Sequence, residues 1–332
     1  MTQARQWLLN GHPRGRPIAD NDLKMVTVDL PEPGPGQMLL KTLYLGFDPA
    51  QKGWMENIAD YVAPLAIGDV MRGSGITQVV KSNGGKFAEG TLLAGSTGWS
   101  DYVIHDGSDL NPADTSLSPT AMLSVLGTTG VTAYCGLFKI GQPLPGDVVL
   151  VSGAAGATGS IVGQLAKIAG CTAIGIAGGP EKCAWLVEEA GYDHAIDYKA
   201  GNIRKQIKEF APDGVNVIFD NVGGAILNDM LGQIATNARI VICGGISRYE
   251  TGNLPAGPEN YFNLVFRRAR MEGFIVLDWM SEFPAIRKRL SKWVQKGDLA
   301  YREDIQEGFE NAPATLQRLF DGSNKGKQLL KV

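Results

Sequence analysis

The chain has few of the residues that hold metals or cross-links. Its four cysteines, Cys135, Cys171, Cys183 and Cys243, form no CxxC pair and show no tight spacing. This argues against a disulfide framework and fits a reducing cytoplasm. The three histidines, His12, His105 and His194, are scattered, and no cysteine precedes Cys135. Zinc needs thiolates or imidazoles at fixed spacing, so no metal site is expected. Without a Lewis acid, zinc-type alcohol oxidation is not expected either. No apolar run approaches the ~20 residues of a membrane helix, and the N-terminus lacks the apolar stretch of a signal peptide. Positive charge is not concentrated: 31 Lys and Arg stand against 34 Asp and Glu. The densest basic cluster, Arg267, Arg268 and Arg270, is too small for a nucleic-acid footprint.

Glycine, in contrast, is abundant, at 43 of 332 residues. At roughly 150 residues per domain the length suggests two domains. In the first third, short apolar stretches alternate with glycine and proline turns, and 37–45, 76–81 and 99–105 read as strands of a β-rich region. Residues 119–137 read as helix. Strands and helices then alternate. The strands fall at 148–152, 172–177, 194–198, 215–220, 239–244 and 273–277, and the helices at 160–169, 181–190, 203–210, 224–235, 260–270 and 281–296. Units of this length predict a parallel sheet covered by helices on both faces. Residues 327–332 read as a β-like tail that returns to the first domain. The predicted division is 1–125 with 296–332 for the β-rich domain and 126–295 for the α/β domain.

The most informative segment is 148–159, VVLVSGAAGATG, an apolar strand entering a glycine-rich turn from which a helix leaves. Ala154, Gly156 and Gly159 hold the three positions of a dinucleotide fingerprint. Gly156 lets the backbone approach a pyrophosphate, Gly159 lets helix and strand pack tightly, and the N–H groups at the helix start hold the anion. The next strand ends GIAGGPEK at 175–182. It has no acid at its tip to bind a ribose 2′-hydroxyl, and Lys182 follows within one helical turn to meet a 2′-phosphate. NADP(H) is therefore the expected cofactor, with Glu181 as the nearest opposing charge.

A β-rich domain before a Rossmann domain suggests the medium-chain dehydrogenase/reductase superfamily. FDP (47–49), IGDVMRG (67–73), LGTTGVTAY (126–134), AAGATG (154–159), FDNVGG (219–224), CGGIS (243–247), MEGFIV (271–276) and NKGK (324–327) narrow the match. Together they resemble the zinc-independent branch that includes alkenal and enone double-bond reductases and the prostaglandin/leukotriene reductases. The resemblance runs through nearly the whole chain. It implies an α/β fold with a doubly wound Rossmann sheet and a GroES-like substrate domain. It further implies NADPH-dependent reduction of the C=C bond of an α,β-unsaturated ketone or aldehyde, with quinone reduction or non-catalytic NADPH binding as alternatives.

The resemblance also assigns cofactor roles. Ala155, Gly156, Ala157, Thr158 and Gly159 take the pyrophosphate, and Gly178, Lys182 and Tyr198 the 2′-phosphate corner. Asn221, Cys243, Gly244, Ile246 and Ser247 line the path of the adenosine and the nicotinamide ribose. Thr132, Phe274 and Val276 lie by the nicotinamide, Asn324 and Gly326 close over the cofactor, and Asp48 and Pro49 also bind it. Two tyrosines that relatives use at the enone oxygen are replaced here by Ala50 and Phe266. Tyr61, Tyr249 and Tyr261 are the remaining candidate phenols. Residues 53–64 and 249–261 are the expected pocket walls, where Trp54, Tyr61 and Phe262 suit an apolar, aromatic acceptor. The implied partners are a small enone or enal and a second copy of the chain, with no nucleic acid and no membrane.

Overall fold

The computed structural model describes residues 1–114, 116–249 and 256–332. The chain divides into two compact units, Met1–Ser124 with Glu303–Val332, and Val125–Arg302.

The first unit opens with an antiparallel pair, β1 (Thr2–Leu9) and β2 (Leu23–Leu30). β3 (Gln37–Gly46) leads through Asp48 and Pro49 into the short helix α1 (Ala50–Glu56). β4 (Ser74–Asn83), β5 (Leu92–Ser96), β6 (Tyr102–His105) and β7 (Asn111–Pro112) follow. The strand read at 99–105 begins only at Tyr102: the Trp99 backbone bonds Met71 O at 2.8 Å and accepts Trp7 N–H at 2.9 Å instead of pairing with β3, and its buried ring packs edge-on against Phe47, with ring centres 5.2 Å apart. The segment read as one helix at 119–137 is broken. A 3₁₀ turn (Pro119–Leu123) precedes α2 (Thr128–Cys135), whose N-cap is Gly127, and α2 continues into a π-helical turn, Gly136–Gly141.

The second unit then runs β8 (Val148–Ser152), α3 (Gly159–Ile168), β9 (Thr172–Ala177), α4 (Pro180–Glu188), β10 (His194–Asp197) and α5 (Ile203–Phe210). It continues with β11 (Val215–Asp220), α6 (Gly224–Leu231), β12 (Ile234–Ile242), α7 (Asn263–Arg267), β13 (Arg270–Gly273) and α8 (Phe283–Lys296). The six strands are all parallel, in the order β10-β9-β8-β11-β12-β13. Counted from β8 this is 3-2-1-4-5-6, the doubly wound arrangement, and the order reverses between β8 and β11. Leu150, Ile174, Ile218 and Ile240, from four neighbouring strands, are buried in one cluster on one face, and Val149, Val151, Val217, Phe219 and Val241 on the other face are buried too, as expected of a sheet covered on both faces.

Two boundaries differ from the sequence reading. The helix read at 224–235 stops at Leu231, and β12 starts at Ile234, with Asn237 at φ +62° where its register shifts. Near the C-terminal edge, α7 ends on Arg268 at φ +51°, which turns the chain into β13 three residues before the strand that alternation suggested. Phe274 and Val276 therefore follow the strand, Val276 opening a 3₁₀ turn, Val276–Glu282. The apolar alternation misleads because Ile275, Leu277 and Met280 are exposed, so no buried face enforces it.

The chain closes in the first unit with β14 (Glu303–Glu307), α9 (Ala312–Asp321) and β15 (Lys327–Lys331). β15 pairs antiparallel with β3 and completes a seven-stranded sheet. No helix among the described residues is long and apolar enough to cross a membrane.

Candidate functional site

The glycine turn lies at the tip of β8, beside the switch point. Gly153 leaves the strand at φ +59°, and Ala154 N–H donates to Ile176 O at 3.0 Å, tying the turn to β9. A Cβ on Gly159 would lie 2.4 Å from Gly153 O and 2.8 Å from Ala154 Cα, so only glycine fits where helix meets strand. A Cβ on Gly156 would meet only Gly153 O, at 3.2 Å. The turn is thus open on the Gly156 side, as a phosphate cradle requires. Thr158 stands at the N-cap of α3, with no side-chain cap on the helix, which leaves the end of the helix dipole for an anion. Sequence reading missed the support beneath it. Buried Tyr192 donates its hydroxyl to Gly159 O at 2.6 Å and accepts Gly163 N–H at 3.1 Å, fixing the first turn of α3.

At the tip of β9, Gly178 and Gly179 lead into α4, whose third residue is Lys182. The Tyr198 ring lies against Gly178, 2.8 Å from where a Cβ would stand, so these two predicted residues share one corner. Glu181, the opposing charge, has Arg302 at 3.9 Å. An acid does reach this corner, from the neighbouring strand. Asp197 accepts Gly179 N–H at 2.8 Å and Lys199 N–H at 2.9 Å. It shapes the loop, and the parallel pairing of β10 on β9, which sets Asp197 opposite Ala177, brings it there.

The tips of β11 and β12 carry Asn221, Cys243, Gly244, Ile246 and Ser247. Asn221 Nδ2 donates to Ser152 O at 2.8 Å, and Asn221 O accepts Ile246 N–H at 3.2 Å. Val222 O accepts both the N–H (3.1 Å) and the hydroxyl (2.6 Å) of Ser247. The centre of this knot is a residue given no role from sequence, Asp220. Fully buried, its carboxylate accepts Ser152 Oγ–H at 2.6 Å, Val222 N–H at 3.1 Å and Gly223 N–H at 3.0 Å. Its backbone oxygen accepts Cys243 N–H at 2.9 Å and Gly244 N–H at 3.1 Å. One residue thereby holds the ends of β8, β11 and β12 in register. Burial raises its carboxyl above the ordinary value, against the pull of Ser152, Gly223 and Val222. Burial, and secondarily Asp220, pushes the Cys243 thiol up to about 12, so it is a neutral wall rather than a nucleophile at neutral pH.

Thr132 lies half-buried on α2. Phe274 packs at Gly136, 2.7 Å from a Cβ there, with its ring centre 5.8 Å from that of Trp279. Tyr249 ends the 3₁₀ turn Ile246–Arg248, and Tyr261 is exposed beside Phe262 before α7. Residues 250–255, inside the expected wall 249–261, lie outside the described residues.

In the first unit, Pro49 is the N-cap of α1, and buried Lys327 bonds Phe47 O at 3.0 Å and Asp48 Oδ1 at 2.5 Å. This clamp was not read from sequence. Asn324 Nδ2 donates to Gly326 O at 3.0 Å, while Asp304 accepts Lys325 N–H at 3.0 Å and pairs with Arg318 at 2.9 Å, fixing that loop. Tyr61 accepts the Trp54 indole N–H at 3.3 Å. Among the described residues, no three His, Cys, Asp or Glu side chains converge as a metal site.

A six-stranded parallel sheet with an open glycine turn at its switch point is the arrangement of a dinucleotide-binding domain. Residues 5–113 match the family described as the N-terminal domain of oxidoreductase, and residues 157–292 the one described as zinc-binding dehydrogenase. NADPH-dependent curcumin reductase of Escherichia coli (strain K12) is 37% identical over 334 residues, 99% of this chain and 96% of the relative. Prostaglandin reductase 1 of Oryctolagus cuniculus is 39% identical, over 98% of this chain and 93% of the relative. CurA from Vibrio vulnificus, solved in complex with NADPH, superposes with a TM-score of 0.93 at 38% identity, over 99% of both chains. The chain belongs to the medium-chain dehydrogenase/reductase superfamily and is an NADP(H)-dependent oxidoreductase.

Proposed function

We propose that the protein reduces the C=C bond of α,β-unsaturated ketones or aldehydes. The observation that carries this reading is the full-length likeness to relatives named for NADPH-dependent and prostaglandin reduction, with the phosphate turn intact. When bound, the reduced dinucleotide supplies a hydride for the substrate β-carbon. The chain's residues bind and orient. The 155–159 turn takes the pyrophosphate, and Lys182 and Tyr198 take the 2′-phosphate. Asn221, Cys243, Gly244, Ile246 and Ser247 line the ribose path. Thr132, Phe274 and Val276 flank the nicotinamide. Tyr61, Tyr249 and Tyr261 are the phenols that can supply the α-carbon proton. Holding donor and acceptor in contact accounts for much of the rate.

The test follows loss of NADPH absorbance with a linear enal, an aryl enone, a cyclic enone and a benzoquinone, each repeated with NADH. Saturated ketone or aldehyde as product, formed faster with NADPH than NADH, is the expected result. Turnover with the quinone alone would replace this function with quinone reduction. Silence with all four despite tight NADPH binding would leave a non-catalytic binder.

The same reading includes a homodimer built on the second unit. β13 is the last strand of its sheet, and Tyr261, Phe262, Val265, Phe266 and Met280 nearby are 53–65% exposed. An open edge beside exposed apolar side chains is a surface that proteins normally cover. Light scattering after size exclusion should give twice 35.5 kDa, and Val265→Asp with Phe266→Asp should give the monomer mass. A wild-type monomer at micromolar concentration would sink the dimer.

A further inference from the structure

A phosphate monoester carries a charge of about −1.5 to −2 at neutral pH, and a carboxylate close to it is a cost. Yet the corner that holds Lys182 and Tyr198 also contains Asp197, half-buried at the end of β10. A sheet that selects a ribose 2′-hydroxyl puts its acid at the tip of the second strand. Here that strand is β9, and Ala177, Gly178 and Gly179 carry no carboxylate. Asp197 comes from the next strand out and is turned to another use. One of its oxygens, Oδ1, accepts both Gly179 N–H at 2.8 Å and Lys199 N–H at 2.9 Å. The first bond holds the N-cap of α4, three residues before Lys182. The second caps the 3₁₀ turn Tyr198–Ala200.

Both segments have little else to order them. Gly179 stands at φ +92°, with open space where a Cβ would be, and a second glycine precedes it. Two adjacent glycines leave the backbone many conformations. Tyr198 is 43% exposed, and its ring rests on Gly178, 2.8 Å from a Cβ position there. A single carboxylate oxygen therefore joins the start of the lysine's helix to the start of the tyrosine's turn.

We propose that Asp197 is the positioning residue of the 2′-phosphate corner. Through Oδ1 it sets α4 and the Tyr198 turn at the separation at which Lys182 and Tyr198 close on one phosphate, and so it sets the preference for NADPH over NADH. This rests on the assignment of the 2′-phosphate to Lys182 and Tyr198. The geometry of Asp197 favours the phosphate and its charge opposes it, so substitution separates the two. Asp197→Asn keeps an oxygen for both N–H groups and removes the charge. Asp197→Ala removes both.

The experiment titrates NADPH and NADH separately into full-length wild type, Asp197→Ala, Asp197→Asn and Lys182→Met, with Kd read from nicotinamide fluorescence. Asp197→Ala should weaken NADPH about 10-fold, as expected when charge-assisted hydrogen bonds that hold a site are lost, and leave NADH within twofold. Asp197→Asn should bind NADPH as tightly as wild type or up to about fivefold tighter, a gain that shrinks as salt screens the charge. Equal weakening of NADPH and NADH in Asp197→Ala would give the residue a general structural role and overturn the proposal. An Asp197→Ala protein that holds NADPH within twofold of wild type would overturn it too, as would an Asp197→Asn protein as weak as Asp197→Ala. If Asp197→Ala does not fold, Asp197→Val, which also lacks an acceptor and suits a strand end, is read by the same criteria. Lys182→Met tests the assignment underneath. If it leaves the NADPH preference unchanged, the corner is not the phosphate site and both readings fail. If it lowers that preference and Asp197→Ala does not, only Asp197 is wrongly placed.

Discussion

Gly156→Ala is expected to weaken NADPH binding about 10–100-fold while the protein melts within about 2 °C of wild type; Gly159→Ala is expected to lose both binding and stability. The two glycines stand three residues apart in one turn, yet their surroundings separate the effects. A methyl at 156 meets only Gly153 O at 3.2 Å, a contact relieved by a shift of a few tenths of an ångström. It points to the side from which a pyrophosphate approaches. Losing one charge-assisted hydrogen bond there removes roughly 1.5–3 kcal/mol of binding, which is the stated range in Kd. A methyl at 159 lies 2.4 Å from one backbone atom and 2.8 Å from another, and neither can swing aside. Overpacking of that kind costs about 1–3 kcal/mol, or a melting temperature roughly 3–10 °C lower in a domain of this size. Differential scanning fluorimetry with and without NADPH measures both effects. A Gly156→Ala protein that NADPH stabilises as strongly as wild type would show that the turn does not seat the pyrophosphate.

What the sequence reveals here follows from how local each feature is. The 148–159 turn is legible because strand, glycines and helix are contiguous, and the structure places all three as read. The positions of Asn221 and Cys243 just past the ends of β11 and β12 are legible for a related reason, since each follows a contiguous apolar run. Asp220 lay within a segment already singled out, but nothing local says that its carboxylate collects donors from Ser152, Val222 and Gly223. That depends on β8 lying beside β11. Asp197 reaches the Gly179 corner only through the register of β10 on β9. Lys327 opens the tail read as β-like, but nothing local says that its amine is buried, 3% exposed, against Phe47 and Asp48; that depends on β15 pairing with β3. Phe274 and Val276 show the opposite failure, in which a local alternation suggested a strand that the exposed edge of the sheet does not sustain.

Asp220→Ala should be the most damaging single change that touches no cofactor atom. It leaves Ser152 Oγ–H and the N–H groups of Val222 and Gly223 without their buried acceptor. At roughly 1–3 kcal/mol for each unsatisfied buried group, with partial relaxation, a loss of about 3 kcal/mol is expected, or roughly 6–12 °C in melting temperature. NADPH affinity should fall with it, because Asn221 and Gly244 are held through the same residue. Asp220→Asn keeps one oxygen in place for Ser152 and Val222 and should recover most of the loss. The two proteins also separate charge from shape. Asp220's carboxyl is raised in the fold above its unfolded value, so what the neutral acid contributes is fully present below the unfolded pKa near 3.8. That contribution is lost as pH rises through the folded value, where ionising a buried carboxyl costs more than ionising a solvated one. Wild type should therefore lose stability relative to Asp220→Asn as pH climbs from about 4 through that window, and the difference should level off above it. Parallel melting curves at every pH would show that Asp220 keeps one protonation state throughout and that the buried knot carries no net cost of charge.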